Sequence, residues 1–315
     1  MQRIGHGAFA TVYRCDDGSA LKRVDLHRAK RAMLEREVAL HSQLAHPHIV
    51  PLLRVEWHAE TVDLYLELCD TDLGRLLDTQ RRRGALPARS DARRWFAEIC
   101  AALRYLHARQ IMHRDLKPPN VLLKNGHVKL SDFGFSKVVV DMTATICGSP
   151  LYMAPEILQH ERYSHKSDLW SLGCILYELL HGRLFYSGAT IVALLAAIEA
   201  RPLELAPSDA IDAPDVAALL HGLLQRGEAE RWDWPQLDAH AWAQLDAAPP
   251  QSEELQFSLE LDLSSVVIED YAPAVRPLSP IYLAPPPSGL WAKTWRSLTA
   301  SLHDCAELFR DAKSV

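Results

Sequence analysis

The sequence predicts an α+β protein with two lobes, a small strand-rich one followed by a larger helical one. Three observations carry this. The first seventy residues alternate short apolar runs with turn residues. From Asp72 onward the apolar positions recur at helical spacing. The chain has 315 residues, 48% hydrophobic and 23% charged, enough to bury more than one core.

The elements follow in order. The runs 11–15 and 20–26 flank Asp16-Asp17-Gly18-Ser19, a tight-hairpin signal. Residues 29–44 place Met33, Val38, Leu40 and Leu44 among charges and read as a helix. His46-Pro47 ends it, because the residue before a proline is pushed out of the helical region. Strands 52–58 and 62–68 come next. Helical periods then occupy 72–80, 90–109, 167–181, 188–200, 213–225 and 234–244, and the domain is expected to end at 245. The apolar runs 172–180 and 191–198 fall short of the roughly 18–20 residues that span a bilayer and read as buried helices.

Charge excludes several classes of function. With 34 Lys+Arg against 40 Asp+Glu the net charge is −6, unlike a protein built to coat nucleic acid or an anionic membrane. The imbalance is local: residues 246–315 hold ten acids and five bases, leaving a nearly neutral body. Six cysteines (Cys15, Cys69, Cys100, Cys147, Cys174, Cys305) stand far apart without a Cys-x-x-Cys pair, which argues for a reducing compartment. Met1-Gln2-Arg3-Ile4-Gly5 lacks the apolar core of a signal peptide, so a soluble, cytoplasmic protein without a transmembrane segment is expected. The fifteen histidines form no helical His-x-x-x-His pair with a carboxylate that would suggest a metal site.

The chemistry lies in a few short motifs. Gly5-His6-Gly7-Ala8-Phe9-Ala10-Thr11-Val12 is a glycine-rich turn between strands, able to close backbone N–H groups over a phosphate. Lys22 follows on the next strand and Glu37 on the helix after it. Further on stand His113-Arg114-Asp115-Leu116-Lys117-Pro118-Pro119-Asn120, then Asp132-Phe133-Gly134, then Ala154-Pro155-Glu156. This ordered set over roughly residues 3–244 resembles the eukaryotic-type Ser/Thr protein kinases. Residues 143–156 are most similar to the autophagy-initiating, Unc-51-like branch.

The resemblance implies a bilobal protein-kinase fold and a catalytic domain over 1–245. It implies that Asp115 orients the substrate hydroxyl and accepts its proton, with Lys117 beside the γ-phosphate of ATP. Asn120 and Asp132 become the Mg²⁺ ligands. Lys22 is expected to bind the α/β-phosphates and to pair with Glu37. Ile4, Gly5, Gly7, Ala10 and Val12 line the nucleotide, Leu66 guards the back pocket, the hinge backbone at Glu67 and Cys69 bonds adenine, and Asp72 lies near the ribose. Asp168 anchors the catalytic loop, and Arg231 pairs with Glu156 in a buried structural bridge. Ser149 contacts the catalytic aspartate. Lys117 and Pro118 point to Ser/Thr specificity, and Phe135 leans toward serine. Thr145 falls where kinases are phosphorylated, with Arg114 placed to receive that phosphate.

The sequence also departs from that pattern. Ala10 stands for the third glycine of the loop, and only four residues precede Gly5. Pro119 replaces a glutamate that often reads basic substrates, which weakens the case for a basic preference. Seven arginines in residues 75–94 read first as a solvated helical face and second as a docking surface for acid.

Residues 246–289 form an acidic, then proline-rich linker or docking segment. Leu255, Phe257, Leu259, Leu261 and Leu263 alternate strictly, so this stretch could add as a strand, fill a groove or stay disordered. Residues 290–315 read as an amphipathic helix with Trp291, Trp295, Leu298, Leu302, Ala306 and Phe309 on one stripe. Protein substrates are the expected partners, together with a tail-binding regulator or self-association through the acidic tail. Two other readings stand beside the enzyme. One is a pseudokinase-like scaffold that recruits partners through its tail. The other is a small-molecule kinase, which the Ala154-Pro155-Glu156 segment disfavours.

Overall fold

The computed structural model of the chain describes residues 1–7, 10–27, 29, 31–132, 149–200 and 214–244. Five antiparallel strands open the fold: β1 (Gln2–His6), β2 (Ala10–Arg14), β3 (Ser19–Asp25), β4 (Leu52–Trp57) and β5 (Thr61–Glu67). Their spatial order is β1-β2-β3-β5-β4. Asp17 fixes the β2–β3 turn by accepting the Ser19 N–H at 2.9 Å and its hydroxyl at 2.7 Å, while Gly18 takes a φ of 83°. Despite the few residues before Gly5, β1 pairs with β2 on both sides of a bulge between Arg3 and Gly5.

Helix α1 (Arg31–His41) lies between β3 and β4 and buries Leu34 and Val38. These residues join Val24, Leu52, Val62 and Leu64 in the core of the small lobe. Met33 and Leu40, expected on the buried face, are only half-buried.

The larger lobe is helical: α2 (Leu73–Arg82), α3 (Arg89–His107), α4 (Pro155–Leu158), α5 (Lys166–His181), α6 (Ile191–Ala200), α7 (Pro214–Leu223) and α8 (Trp234–Asp238). Its core runs from Leu73 and Phe96 through Trp170, Leu176 and Leu223 to Trp242. Helix α5 is rich in apolar residues and almost wholly buried, and its buried Asp168 and Glu178 are paired with neighbouring groups. A Cβ at Gly173 would approach Leu223 Cβ to 2.9 Å, so glycine there lets α5 and α7 touch. The second long apolar run behaves differently: α6 buries Ile191, Leu194 and Ile198 but leaves Val192 58% exposed.

Helical periodicity after Asp72 hid one strand pair. Strands β6 (Thr71–Asp72), β7 (Val121–Lys124) and β8 (His127–Leu130) form a three-stranded antiparallel sheet. Asn125-Gly126 closes β7 onto β8 with φ values of 51° and 80°, the left-handed pair that a two-residue hairpin turn needs.

Contacts between the lobes include the following two sets. The segment after α1 runs beside β8: Leu130 N–H donates to His48 O at 2.8 Å, and Val50 N–H donates to Leu130 O at 2.9 Å. At the end of β5, the Glu67 carboxylate takes Lys124 Nζ at 2.9 Å and Lys129 Nζ at 2.8 Å. Burial works against this carboxylate's charge, but the two ammonium groups hold its pKa below the ordinary range.

The seven arginines of 75–94 are largely engaged within the lobe. Arg81 binds Asp78 and Glu178, and Arg94 binds Asp91. Arg89 lies over Trp242, Arg93 donates to Ala241 O, and Arg75 binds Asp72. On the β4–β5 hairpin, Glu56, His58 and Asp63 come within 4.8 Å of one another. Both oxygens of Asp63 are held by Arg23, at 2.7 and 2.5 Å, so a guanidinium already fills that role.

Two buried histidines, His48 and His113, and two half-buried ones, His41 and His46, contribute to the pH response. Burial lowers the pKa of His41, of His48 and of His113, and brings that of His46 down to about 4. Below the unfolded value of about 6.5 the unfolded chain therefore binds more protons than the folded one. Stability is thus complete above that pH and falls progressively as the pH drops toward 4. The melting temperature, followed from pH 7.5 to 4.5, is expected to fall monotonically. A flat profile would show that these imidazoles stay accessible.

Candidate active site

The cleft between the lobes receives its groups from both. From the small lobe comes the glycine turn, closed by Gly7 N–H donating to Ala10 O at 2.8 Å. Gly5 faces Val12 across the β1–β2 ladder, and Val12 faces Lys22 across β2–β3. Gly5, Val12 and Lys22 thus stand in one cross-strand row, with Ile4 beside Gly5 on β1 and the Gly7–Ala10 bond at the end of the same hairpin.

From the helical lobe comes the loop 113–120, whose shape is imposed by Asp168 at the start of α5. Its carboxylate accepts the backbone N–H of His113 at 2.8 Å and of Arg114 at 2.9 Å, and contacts His107 Nε2 at 2.8 Å. Burial opposes the charge on Asp168, but His107 and His113 keep its pKa below the usual carboxylate range. These bonds hold Arg114 at a φ of 64°, a left-handed conformation that a non-glycine residue keeps only when its surroundings demand it. His113, fully buried, bonds through Nε2 to Ser131 O at 3.1 Å and so ties the loop to the segment carrying Asp132.

The consequence is a compact polar centre. Lys117 Nζ lies 2.6 Å from Asp115 Oδ2. Asn120 donates its amide N–H groups to Asp115 O at 2.8 Å and to Asp115 Oδ2 at 3.0 Å. Across the cleft, Lys22 Nζ is hydrogen-bonded to Asp132 Oδ1. Asp132 itself sits at a φ of 55°. Lys22 lowers the pKa of Asp132. Burial works against the charge on Lys22, but Asp132 and Glu37 together raise its pKa.

This corrects one expectation. Lys22 forms an ion pair with Asp132, and none with Glu37. Burial pushes the Glu37 carboxyl above its ordinary pKa, offset in part by Lys22.

The other expected groups take these places. Leu66 and Glu67 end β5, and Glu67 directs its side chain to Lys124 and Lys129 rather than into the cleft. Cys69 is half-buried, and burial pushes its thiol up to about 12, far from reactive thiolate character. Asp72 caps α2, accepting Arg75 N–H at 2.8 Å. Arg231 and Glu156 form the buried bidentate bridge, at 2.6 and 2.9 Å. Phe133, Gly134, Phe135, Thr145 and the Ser149 side chain lie outside the described residues. Reading the sequence missed Arg75, which donates from α2 to the carbonyl of Ile4 at 3.1 Å. Among seven arginines in a row of helical charges, no local signal singles it out.

The protein kinase domain model matches residues 1–243. Relatives include the serine/threonine-protein kinase ULK3 of Rattus norvegicus, 35% identical over 266 residues, covering 79% of this chain and 55% of that protein. The serine/threonine-protein kinase fused of Drosophila melanogaster is 35% identical, covering 76% of this chain and 31% of the relative. The serine/threonine-protein kinase ATG1 of Beauveria bassiana is 32% identical, covering 76% and 32%. The chain thus spans about half the length, or less, of the curated relatives it matches. A family match over nearly all the described residues, on a bilobal α+β fold that gathers Lys22, Asp115, Lys117, Asn120 and Asp132 at one cleft, leads to a single assignment: this chain belongs to the protein kinase family.

Proposed function

We propose that the chain is a Ser/Thr protein kinase that transfers the γ-phosphoryl group of Mg-ATP to serine, and to threonine, hydroxyls of proteins. The observation that carries this reading is the Asp115 carboxylate held by Lys117 and Asn120, opposite the Lys22–Asp132 pair. The transferred group carries dispersed negative charge, so the protein's contribution is mainly position and electrostatics. The substrate hydroxyl oxygen forms the new bond to γ-phosphorus, the bond to the β–γ bridging oxygen breaks, and ADP leaves. The hydroxyl proton passes to Asp115, whose plane is set by its two donors. Lys117 stands beside that carboxylate and neutralises the phosphoryl oxygens in flight.

Asn120 and Asp132 offer the hard oxygen donors that magnesium takes. The Asn120 amide nitrogen is committed to Asp115 O and Oδ2, which turns its oxygen the other way. When bound, the ion would offset the charge of the phosphates. Lys22 holds the α/β-phosphates, with Glu37 near enough to act on its charge. Ile4, Gly5, Gly7, Ala10 and Val12 cover the nucleotide, the backbone at Glu67 and Cys69 meets adenine, and Asp72 meets the ribose. Proteins are the substrates. Asp72 is already engaged by Arg75, and Pro119 brings no charge, so no acid at these positions selects basic sequences.

Transfer of labelled phosphate from Mg-ATP to a generic protein substrate, lost in Asp115→Asn, tests the reading. Wild-type protein that binds Mg-ATP yet transfers nothing overturns it. We further propose regulation through Thr145, whose phosphate would meet the exposed Arg114. Thr145→Ala is expected to lower kcat about tenfold, equivalent to about 1.4 kcal/mol of charge-assisted bonding. Unchanged turnover of an external substrate would exclude that role.

A further inference from the structure

Ile4 is the extra residue of a bulge in the β1–β2 ladder: Arg3 faces Tyr13 and Gly5 faces Val12, with Ile4 unmatched between them. A bulged residue loses its ladder partner and bends its strand. Strand β1 is also the edge of the five-stranded sheet. At this bulged edge position the Ile4 carbonyl accepts Arg75 Nη2 at 3.1 Å.

Arg75 is fixed at its other end as well. It lies in the first turn of α2, where its backbone N–H donates to the capping carboxylate of Asp72 at 2.8 Å. Its Nε lies 3.2 Å from the second oxygen of that carboxylate. One side chain is thus anchored at its base on the helical lobe and at its tip on the strand that leads into the glycine turn. A helix-surface arginine by default extends into water. This one reaches a backbone atom in the other lobe, and the contact does not depend on which side chain stands at position 4.

We propose that Arg75 is a positioning residue for the nucleotide, a clasp that holds β1 and the glycine turn against the helical lobe at the mouth of the cleft. The proposal rests on the kinase reading above and adds a residue to it. The Arg75 side chain is 66% exposed, so water screens the bond. That suits a contact which must break and re-form each time ADP leaves. Opening the clasp lowers the population of the closed cleft that binds nucleotide, and affinity falls by the same fraction. The effect belongs to KM for ATP and to the rate of ADP release. It does not belong to the phosphoryl-transfer step, because Arg75 touches no reacting group.

The test is direct binding of Mg-ATP to the full chain, by calorimetry, for wild type, Arg75→Met and Arg75→Lys. Arg75→Met is expected to weaken Kd about 3–10-fold, the range of one exposed charge-assisted bond. It should raise KM for ATP by the same factor without lowering kcat, at an unchanged melting temperature. Arg75→Lys keeps a charged donor and is expected to recover most of the loss. 2′,3′-Dideoxy-ATP separates the clasp from an indirect effect through Asp72 and the ribose: the clasp predicts the same fold-change for both nucleotides. Equal Kd values in wild type and Arg75→Met, or a loss confined to ATP with its ribose hydroxyls, would overturn the proposal. Wild type that binds no Mg-ATP would overturn the kinase reading itself, and the clasp with it.

Discussion

Asp115→Asn is expected to lower kcat by about 10²–10⁴-fold, the range for loss of a positioned proton acceptor. The fold should be undisturbed, because the two side chains are nearly the same shape. The hydrogen bonds explain why a near-isostere fails. Asp115 Oδ2 accepts from Lys117 Nζ at 2.6 Å and from Asn120 Nδ2 at 3.0 Å, so whatever stands there must present an oxygen to both donors. An asparagine that does so turns its own N–H₂ toward the substrate hydroxyl. That group donates where an acceptor is needed, and it cannot take the proton. Steady-state turnover with a protein substrate, alongside thermal unfolding, checks both halves. Loss of less than about tenfold at normal stability would remove Asp115 from the role of base.

Arg231→Met is expected to have the largest effect on stability. The Arg231 side chain is fully buried beneath Trp170, whose ring centre lies 5.2 Å from the guanidinium carbon. Its two Nη groups bind the Glu156 carboxylate at 2.6 and 2.9 Å. The same guanidinium donates to Lys166 O at 3.0 Å and to Gln225 O at 3.1 Å. Methionine fills much of the volume but leaves Glu156, 5% exposed, without its cation. Breaking a buried pair from one side costs about 3–5 kcal/mol. For a domain of this size that corresponds to a fall of about 6–20 °C in melting temperature. Removing the charge from both sides, in Arg231→Met/Glu156→Gln, should recover part of the loss, since the penalty comes from the orphaned carboxylate. A fall of under about 3 °C for the single variant would mean that water reaches Glu156. Function should suffer too, because Glu156 opens α4 just past the turn held by Ser171 Oγ on Tyr152 O at 2.7 Å.

Most of the helices and four strands of the small lobe were legible because each is a local pattern. Strands β2 to β5 and helices α2, α3 and α5 fall within two residues of where periodicity and turn residues put them. The β7–β8 hairpin was missed although Asn125-Gly126 is a strong hairpin signal, because strands of only four residues show too little alternation among helices. Helix α1 buries Leu34 rather than Met33, a choice that the sheet beneath it makes.

The candidate site divides in the same way. Asp115, Lys117 and Asn120 sit within six residues of one another, and loop closure over so short a segment leaves few arrangements. Their mutual contacts therefore follow from the chain's own order. Asp168 and Arg231 had only to find the partners that the motifs named. Lys22 was different. Two carboxylates, Glu37 and Asp132, act on it, and nothing local tells which one the fold brings within bonding distance; the fold brings Asp132 there. The Arg75 bond needs a bulge in one lobe and a helix cap in the other, brought together only when the lobes close on each other. By itself, then, the sequence determined the family, most of the elements and the catalytic motif, since these are written in neighbouring residues. Which distant charges meet was decided by the tertiary structure, because desolvation and reach exist only once the chain is packed.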